Sequence, residues 1–180
     1  MIAIMLAPGF EEIEALAPCD LLRRAGLETV LVGVGGPVVT GSHRITVQAD
    51  MELKELSAEQ LEMLVLPGGL RGVQSLLASD EALQLTKHAW DDGKFVCAIC
   101  AAPTILARLG ITDGREAVCY PGKEPEMGEA VMVNESVVRS GRLITGRAAG
   151  SAIDFALTLV EVLKGREEAQ RISAQIVYGS

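Results

Sequence analysis

The chain has 180 residues, 49% of them hydrophobic, enough to bury one substantial core and too few for two ordinary domains; a single domain over residues 1–180 is expected. Sixteen basic against twenty-four acidic residues leave a formal net charge of −8, which argues against broad phosphate-backbone contact and disfavours nucleic acid as the primary ligand. No apolar run approaches the ~18 residues of a membrane span, and Met1 to Ala7 lacks the basic flank of a signal peptide, so the expectation is a soluble cytoplasmic protein without a membrane partner.

Short β-branched runs alternate with amphipathic stretches, the pattern of a mostly parallel sheet with helices on both faces. Ile2 to Ala7 reads as the first strand. Glu12 to Arg24 reads as a helix, with Ile13, Leu16, Ala17, Leu21 and Leu22 at helical spacing and Gly26 beyond its end. Leu27 to Val34 is the second strand, broken by Gly35-Gly36-Pro37 before two short runs, Val38-Val39 and Ile45 to Val47, that predict a small edge hairpin. Met63 to Leu66 is a strand closed by Pro67-Gly68-Gly69. Ser79, followed by Asp80 and Glu81, opens a helix to about Asp92. Lys94 to Ile99 is a strand, and Ala101 to Leu109 a helix ended by Gly110. Residues 117–146 carry short β-like runs at Val118 to Tyr120, Ala130 to Val133, Val137 to Arg139 and Leu143 to Thr145. Ser151 and Asp154 have capping-box spacing and open a helix to about Lys164, and a last helix follows Gly165-Arg166.

Ligands of such sheets bind beyond the carboxyl ends of the strands, so residues just after each strand are the first functional candidates. Three places stand out: Pro8 to Glu14, Pro67 to Gly69, and Cys100 to Pro103. Cys100 follows a strand and precedes a helix of small residues, where unpaired N–H groups stabilise a thiolate and lower its pKa. Pro103 suits the first helical turn, whose N–H groups have no partner. On cysteine content alone, a buried small apolar residue is the simpler reading.

With no secretory signal, Cys19, Cys97, Cys100 and Cys119 look like reduced intracellular thiols. Cys97 lies inside the strand, with its Cα roughly 10 Å from that of Cys100 and its side chain on the other face, beyond disulfide reach. It reads as core, as do Cys19 and Cys119. A nucleophilic cysteine normally has a base, yet His43 and His88 both read as surface residues. A carboxylic acid remains. Among Glu11, Glu12 and Glu14, Glu14 sits a turn inside the first helix; buried near a thiolate it would stay protonated and shuttle a proton. Equally, all three carboxylates suit a helix N-terminus. The N–H groups of Gly69 and Ala101 are candidate oxyanion donors.

Three motifs in order, Gly9-Phe10-Glu11-Glu12-Ile13-Glu14, Leu66-Pro67-Gly68-Gly69 and Ala98-Ile99-Cys100-Ala101-Ala102-Pro103, resemble the ThiJ/PfpI superfamily, and more narrowly its parkinsonism-associated deglycase subfamily with bacterial YajL/ThiJ-like members. The likeness extends to Thr40-Gly41-Ser42, Thr145 to Phe155 and Gly165-Arg166-Glu167. It implies a flavodoxin-like α/β homodimer without metal or cofactor. It also implies Cys100 as nucleophile, Glu14 as its protonated carboxyl partner, and Gly69 and Ala101 as backbone donors. The implied activity is glutathione-independent glyoxalase or deglycase chemistry on a small aldehyde or glycated substrate; the alternative is an oxidative-stress sensor or redox-regulated chaperone with Cys100 as a sulfinate. Two positions depart from relatives. Ala101 stands where protease-like members have histidine, which removes the protease or amidase reading, and Tyr120 stands before Pro121 where some members place a histidine near the site. No phosphate loop or basic site is legible in the sequence.

Overall fold

The computed structural model describes residues 1–179 and is built on a seven-stranded sheet. In chain order its strands are β1 (Ile2–Leu6), β2 (Thr29–Gly33), β5 (Met51–Glu52), β6 (Met63–Leu66), β7 (Phe95–Ile99), β10 (Val137–Ser140) and β11 (Leu143–Gly146). Across the sheet they run β10-β11-β7-β6-β1-β2-β5. Every neighbouring pair is parallel except the antiparallel β10–β11. The expected edge hairpin forms as β3 (Val38–Thr40) and β4 (Thr46–Gln48), a ribbon that pairs only with itself. Residues 117–146 contribute β10 and β11 to the sheet. Ahead of these, β8 (Glu116–Ala117) and β9 (Val131–Met132) form a second small ribbon, slightly earlier in the chain than the expected run at Val118 to Tyr120.

Alternation along the central strands divides the core into two halves. Ile2, Ile4 and Leu6 face one side with Cys97 and Ile99, against α1 (Glu12–Arg24), α5 (Ala152–Lys164) and α6 (Arg166–Gln175). Ala3, Met5, Val96 and Ala98 face the other side, against α2 (Leu70–Leu77), α3 (Asp80–Asp91) and α4 (Pro103–Arg108). This is the flavodoxin-like α/β arrangement expected, with strands apolar on both faces because helices cover both. Helix α1 has no side-chain cap at Glu11. It is held instead by burial of Leu21 and Leu22, each worth about 2 kcal/mol, more than the ~1 kcal/mol of a typical cap.

Two local expectations change, and one helix had none. Helix α2 was not legible, being short and carrying Gly72; a side chain there would press on the Phe10 backbone, so the glycine serves close packing. The expected helix from Ala101 starts at Pro103, leaving Cys100 to Ala102 as a turn. Ser151 does not cap α5 forward. Its hydroxyl turns back to Ala148, donating to the carbonyl at 2.8 Å and accepting from the N–H at 3.1 Å, because a turn of 3₁₀ helix (Ala149–Ser151) precedes α5.

Ser79 does cap α3, its hydroxyl accepting the Ala82 N–H at 3.2 Å. Ser79→Ala is therefore expected to lower stability by about 1 kcal/mol in urea unfolding; an unchanged midpoint would show that packing alone holds this helix end.

Candidate functional site

The chain steps outward from β1 to β2 in one direction and returns to β6 on the other side, so the order reverses between β1 and β6. Loops leaving the carboxyl ends at such a switch point diverge and leave a crevice. The loops after β1, β6 and β7 meet there. Glu11 N–H donates to the Gly68 carbonyl at 3.1 Å, and Gly68 N–H donates to Glu14 Oε2 at 2.8 Å. Gly68 separates the carboxyl from the cysteine: a Cβ at this position would lie 2.6 Å from Glu14 Oε2 and 2.7 Å from Cys100 Cβ. Only glycine leaves room for both groups.

Cys100 has φ 66°, a left-handed conformation that costs a non-glycine residue on the order of 1–2 kcal/mol. Two hydrogen bonds hold it. Its N–H donates to the Gly146 carbonyl on β11 at 2.9 Å, and its carbonyl accepts the Tyr120 N–H at 2.7 Å. The strained elbow presents a half-buried sulfur, and the N–H groups of Gly69 and Ala101 favour its ionised form. Gly69 itself has φ 86°, and a side chain there would strike the Gly9 carbonyl.

Glu14, in the first turn of α1, has 0% exposure. Its Oε1 is buried without a hydrogen-bond partner among the described residues. Burial lifts the carboxyl to about 7, opposed by hydrogen bonding with the Cys100 thiol and the Gly68 N–H. Burial also lifts the Cys100 thiol to about 12, reinforced by the Glu14 charge and hydrogen bond and opposed by the Gly69 and Ala101 N–H groups. The expected depression of the Cys100 pKa by a helix N-terminus is thus not met. Helix α4 begins three residues later and has only six residues, so its field is outweighed by desolvation and by a neighbouring carboxylate.

The two groups therefore titrate as one unit. Above about pH 7 they share one negative charge, as carboxylate beside thiol or as protonated carboxyl beside thiolate, and both forms hold the same number of protons. In the second form the neutral carboxyl donates to sulfur, so the Glu14 contributions to the thiol change sign.

Residues 1–162 match the family model for the DJ-1/PfpI family. The chain belongs to this family. It is 35% identical to protein dj-1beta of Drosophila melanogaster over 94% of this chain and 92% of the relative. It is 31% identical to a deglycase of Pyrococcus abyssi, covering 91% of this chain and 99% of that one. The structure of Toxoplasma gondii DJ-1 in an oxidised form superposes with a TM-score of 0.95 at 32% identity, covering 99% and 98% of the two chains.

In this family member the remaining candidates fall outside the crevice. Glu12 turns toward the hairpin, its Oε1 accepting the N–H groups of His43 at 2.7 Å and Ile45 at 3.3 Å. Burial raises its pKa, but these bonds, that of its own N–H and the His43 side chain outweigh it and leave the carboxyl lowered. Glu11 accepts the Ser42 hydroxyl at 3.0 Å. His43 is a surface residue as expected, 69% exposed, and sits against both carboxylates. His88 is exposed on α3. Cys97 is buried on the α1 side of the sheet, its thiol pushed well up by desolvation. Cys119 is pushed up to about 11 by burial and by Glu124 and Glu126. The backbone ties from Tyr120 and Gly146 had no signal in the sequence, since one belongs to a loop and the other to the end of β11, both distant from Cys100 in the chain. No helix among the described residues is long and apolar enough to cross a membrane.

The Glu14 shift has a stability consequence. Its folded pKa of about 7 exceeds the ordinary 4.5, so the folded state binds more protons between these values; stability present below pH 4.5 is lost as pH rises through 7. Glu14→Gln cannot titrate, so the stability of wild type minus variant should fall by about 3 kcal/mol from pH 4.5 to about 8 in urea titrations. A pH-independent difference is the contrary result.

Proposed function

We propose that this protein is a cysteine-dependent, cofactor-free enzyme acting on reactive dicarbonyls or their adducts, a glyoxalase III-like lyase and deglycase hydrolase with modest turnover. The observation that carries the reading is the buried Glu14 carboxyl, one oxygen unpartnered, beside the strained Cys100 elbow. The relative named as a deglycase supports it at the level of reaction class.

In the proposed reaction the Cys100 sulfur attacks the aldehyde carbon of a small dicarbonyl while its proton passes to the Glu14 carboxylate. The carbonyl oxygen receives that proton, giving a neutral hemithioacetal. Glu14 then removes the proton from the former aldehyde carbon and returns one at the adjacent carbon, while the hemithioacetal hydroxyl proton passes to the ketone oxygen, giving a 2-hydroxy thioester by isomerisation without net oxidation. Water cleaves it, releasing a 2-hydroxy acid and the free thiol. The Gly69 and Ala101 N–H groups stabilise negative charge developing at the crevice. With a glycated substrate, the same nucleophile and carboxyl serve release of the amine.

A second reading is an oxidative-stress sensor or redox-regulated chaperone, in which Cys100 becomes a sulfinate held by Glu14 and the same N–H groups. It is favoured by the half-buried sulfur among converging donors and by the similarity to an oxidised relative. Under either reading we place the protein in the cytoplasm as a homodimer. Four free cysteines support the compartment, and exposed Ile13 (55%) and Ile45 (53%) support a self-association face.

Cys100→Ala should abolish lactate formation from methylglyoxal; an unchanged rate in this variant sinks the enzymatic reading. In wild type kcat/KM should rise with a single inflection near pH 7, where the pair first ionises, and Glu14→Gln should lose that inflection. Intact-mass analysis after mild peroxide separates the second reading: a stable two-oxygen adduct confined to Cys100 supports it, and oxidation spread over Cys97 or Cys119 counts against it.

A further inference from the structure

A second cavity, of about 730 Å³, opens between the turn of the β3–β4 hairpin and the outer face of α2. Its walls include Thr40, Ser42 and Arg44 from the hairpin and Arg71 and Gln74 from α2, with the Pro8-Gly9 backbone as its floor. Arg44 and Arg71 lie 27 positions apart in the chain, and only the fold brings them to one groove.

Arg108 and Arg166, like Arg44 and Arg71, have no side-chain partner among the described residues but do not line this groove; other arginines are engaged. Arg23 pairs with Asp50, Arg171 with Glu168, and Arg142 donates to the carbonyls of Trp90 and Lys94. The guanidinium groups of Arg44 and Arg71 have neither an ion pair nor a side-chain hydrogen bond among the described residues. No carboxylate lines the groove. Glu11 and Glu12, beside the hairpin, are taken by Ser42, His43 and the hairpin N–H groups. Two free cations thus face one cavity in a protein whose net charge is −8.

Backbone geometry adds two independent observations. Arg44 has φ 67°, a conformation that glycine or asparagine adopts more readily, so a long cationic side chain is kept there against its backbone preference. Gly9 has φ 86°, and a Cβ there would strike the Arg71 Cβ, so this glycine lets α2 close against the floor.

We infer that this groove is a binding site for a small phosphomonoester. Two guanidinium groups supply the donors and the two positive charges that match a phosphate dianion, whereas a carboxylate offers one charge. The volume leaves room for the organic body, within the ordinary range of metabolite pockets. The site does not depend on the Cys100 reaction.

The test is a titration of the full-length protein with inorganic phosphate, glycerol phosphate and acetate at low ionic strength, followed by amide NMR shifts. Phosphate should give saturable shifts concentrated at residues 40–44 and 71–78, glycerol phosphate should bind more tightly, and acetate about tenfold more weakly. Arg44→Gln and Arg71→Gln should each weaken phosphate about tenfold, and the double variant should abolish saturation. Both side chains are exposed, so melting temperatures should be unchanged and loss of binding is not loss of folding. Absence of saturable phosphate binding, a double variant that binds like wild type, acetate equal to phosphate, or glycerol phosphate weaker than phosphate each overturns the inference. Cys100→Ser should bind phosphate normally, so failure here and failure of the enzymatic reading are separately visible.

Discussion

A carboxyl group without exposed surface lies next to a cysteine thiol, and the space around them admits one negative charge more readily than two. Removing a carboxylate or thiolate from water is costly, and a second like charge beside the first costs more again. Each proton position therefore depends on the other. The local arrangement follows from that constraint: Gly68 stands between the two groups because any side chain would displace one of them, and the Gly69 and Ala101 N–H groups oppose the rise in the thiol pKa. The unpartnered Oε1 of Glu14 is the open end of the arrangement.

The sheet makes this arrangement affordable in conformational terms. Parallel strands β1, β6 and β7 end together at the switch point, so a helix-borne carboxyl, a glycine turn and a cysteine elbow meet without any long loop. The left-handed Cys100 is fixed from both sides, by Gly146 on β11 and by the Tyr120 loop. Apolar cores above and below the sheet, both in contact with Cys100, hold these ends rigidly. The same packing raises the pKa of both groups, so rigidity and perturbed ionisation have one cause.

Most of the fold was legible because its central strands and α1, α3, α5 and α6 carry strong periodicity and clear ends. Glu12 to Arg24 matched α1 at both limits, and Ser79 was a true cap. Helix α2 was not legible, because Gly72 lowers its propensity and is retained for contact with Phe10. The Ser151 box misled for a similar reason: its spacing suits a forward cap, but the preceding 3₁₀ turn offers a nearer partner. His43 read as a bare surface residue because Glu11 and Glu12 are about thirty positions away in the chain.

At the site, the residue types and their order were present in the chain: a cysteine after a strand, a glycine pair after the neighbouring strand, and a glutamate one turn into the first helix. Spacing could not choose among Glu11, Glu12 and Glu14, because all three suit a helix N-terminus. Burial chose, by drawing Glu12 to the hairpin and Glu14 beneath Gly68. The sign of the Cys100 shift was likewise decided by tertiary structure. A helix end is a local feature that can be read from sequence, whereas desolvation and a carboxylate 86 positions away are products of the whole fold. The grouping of Arg44 with Arg71 has the same origin, since charge in sequence carries no direction until the chain has folded around it.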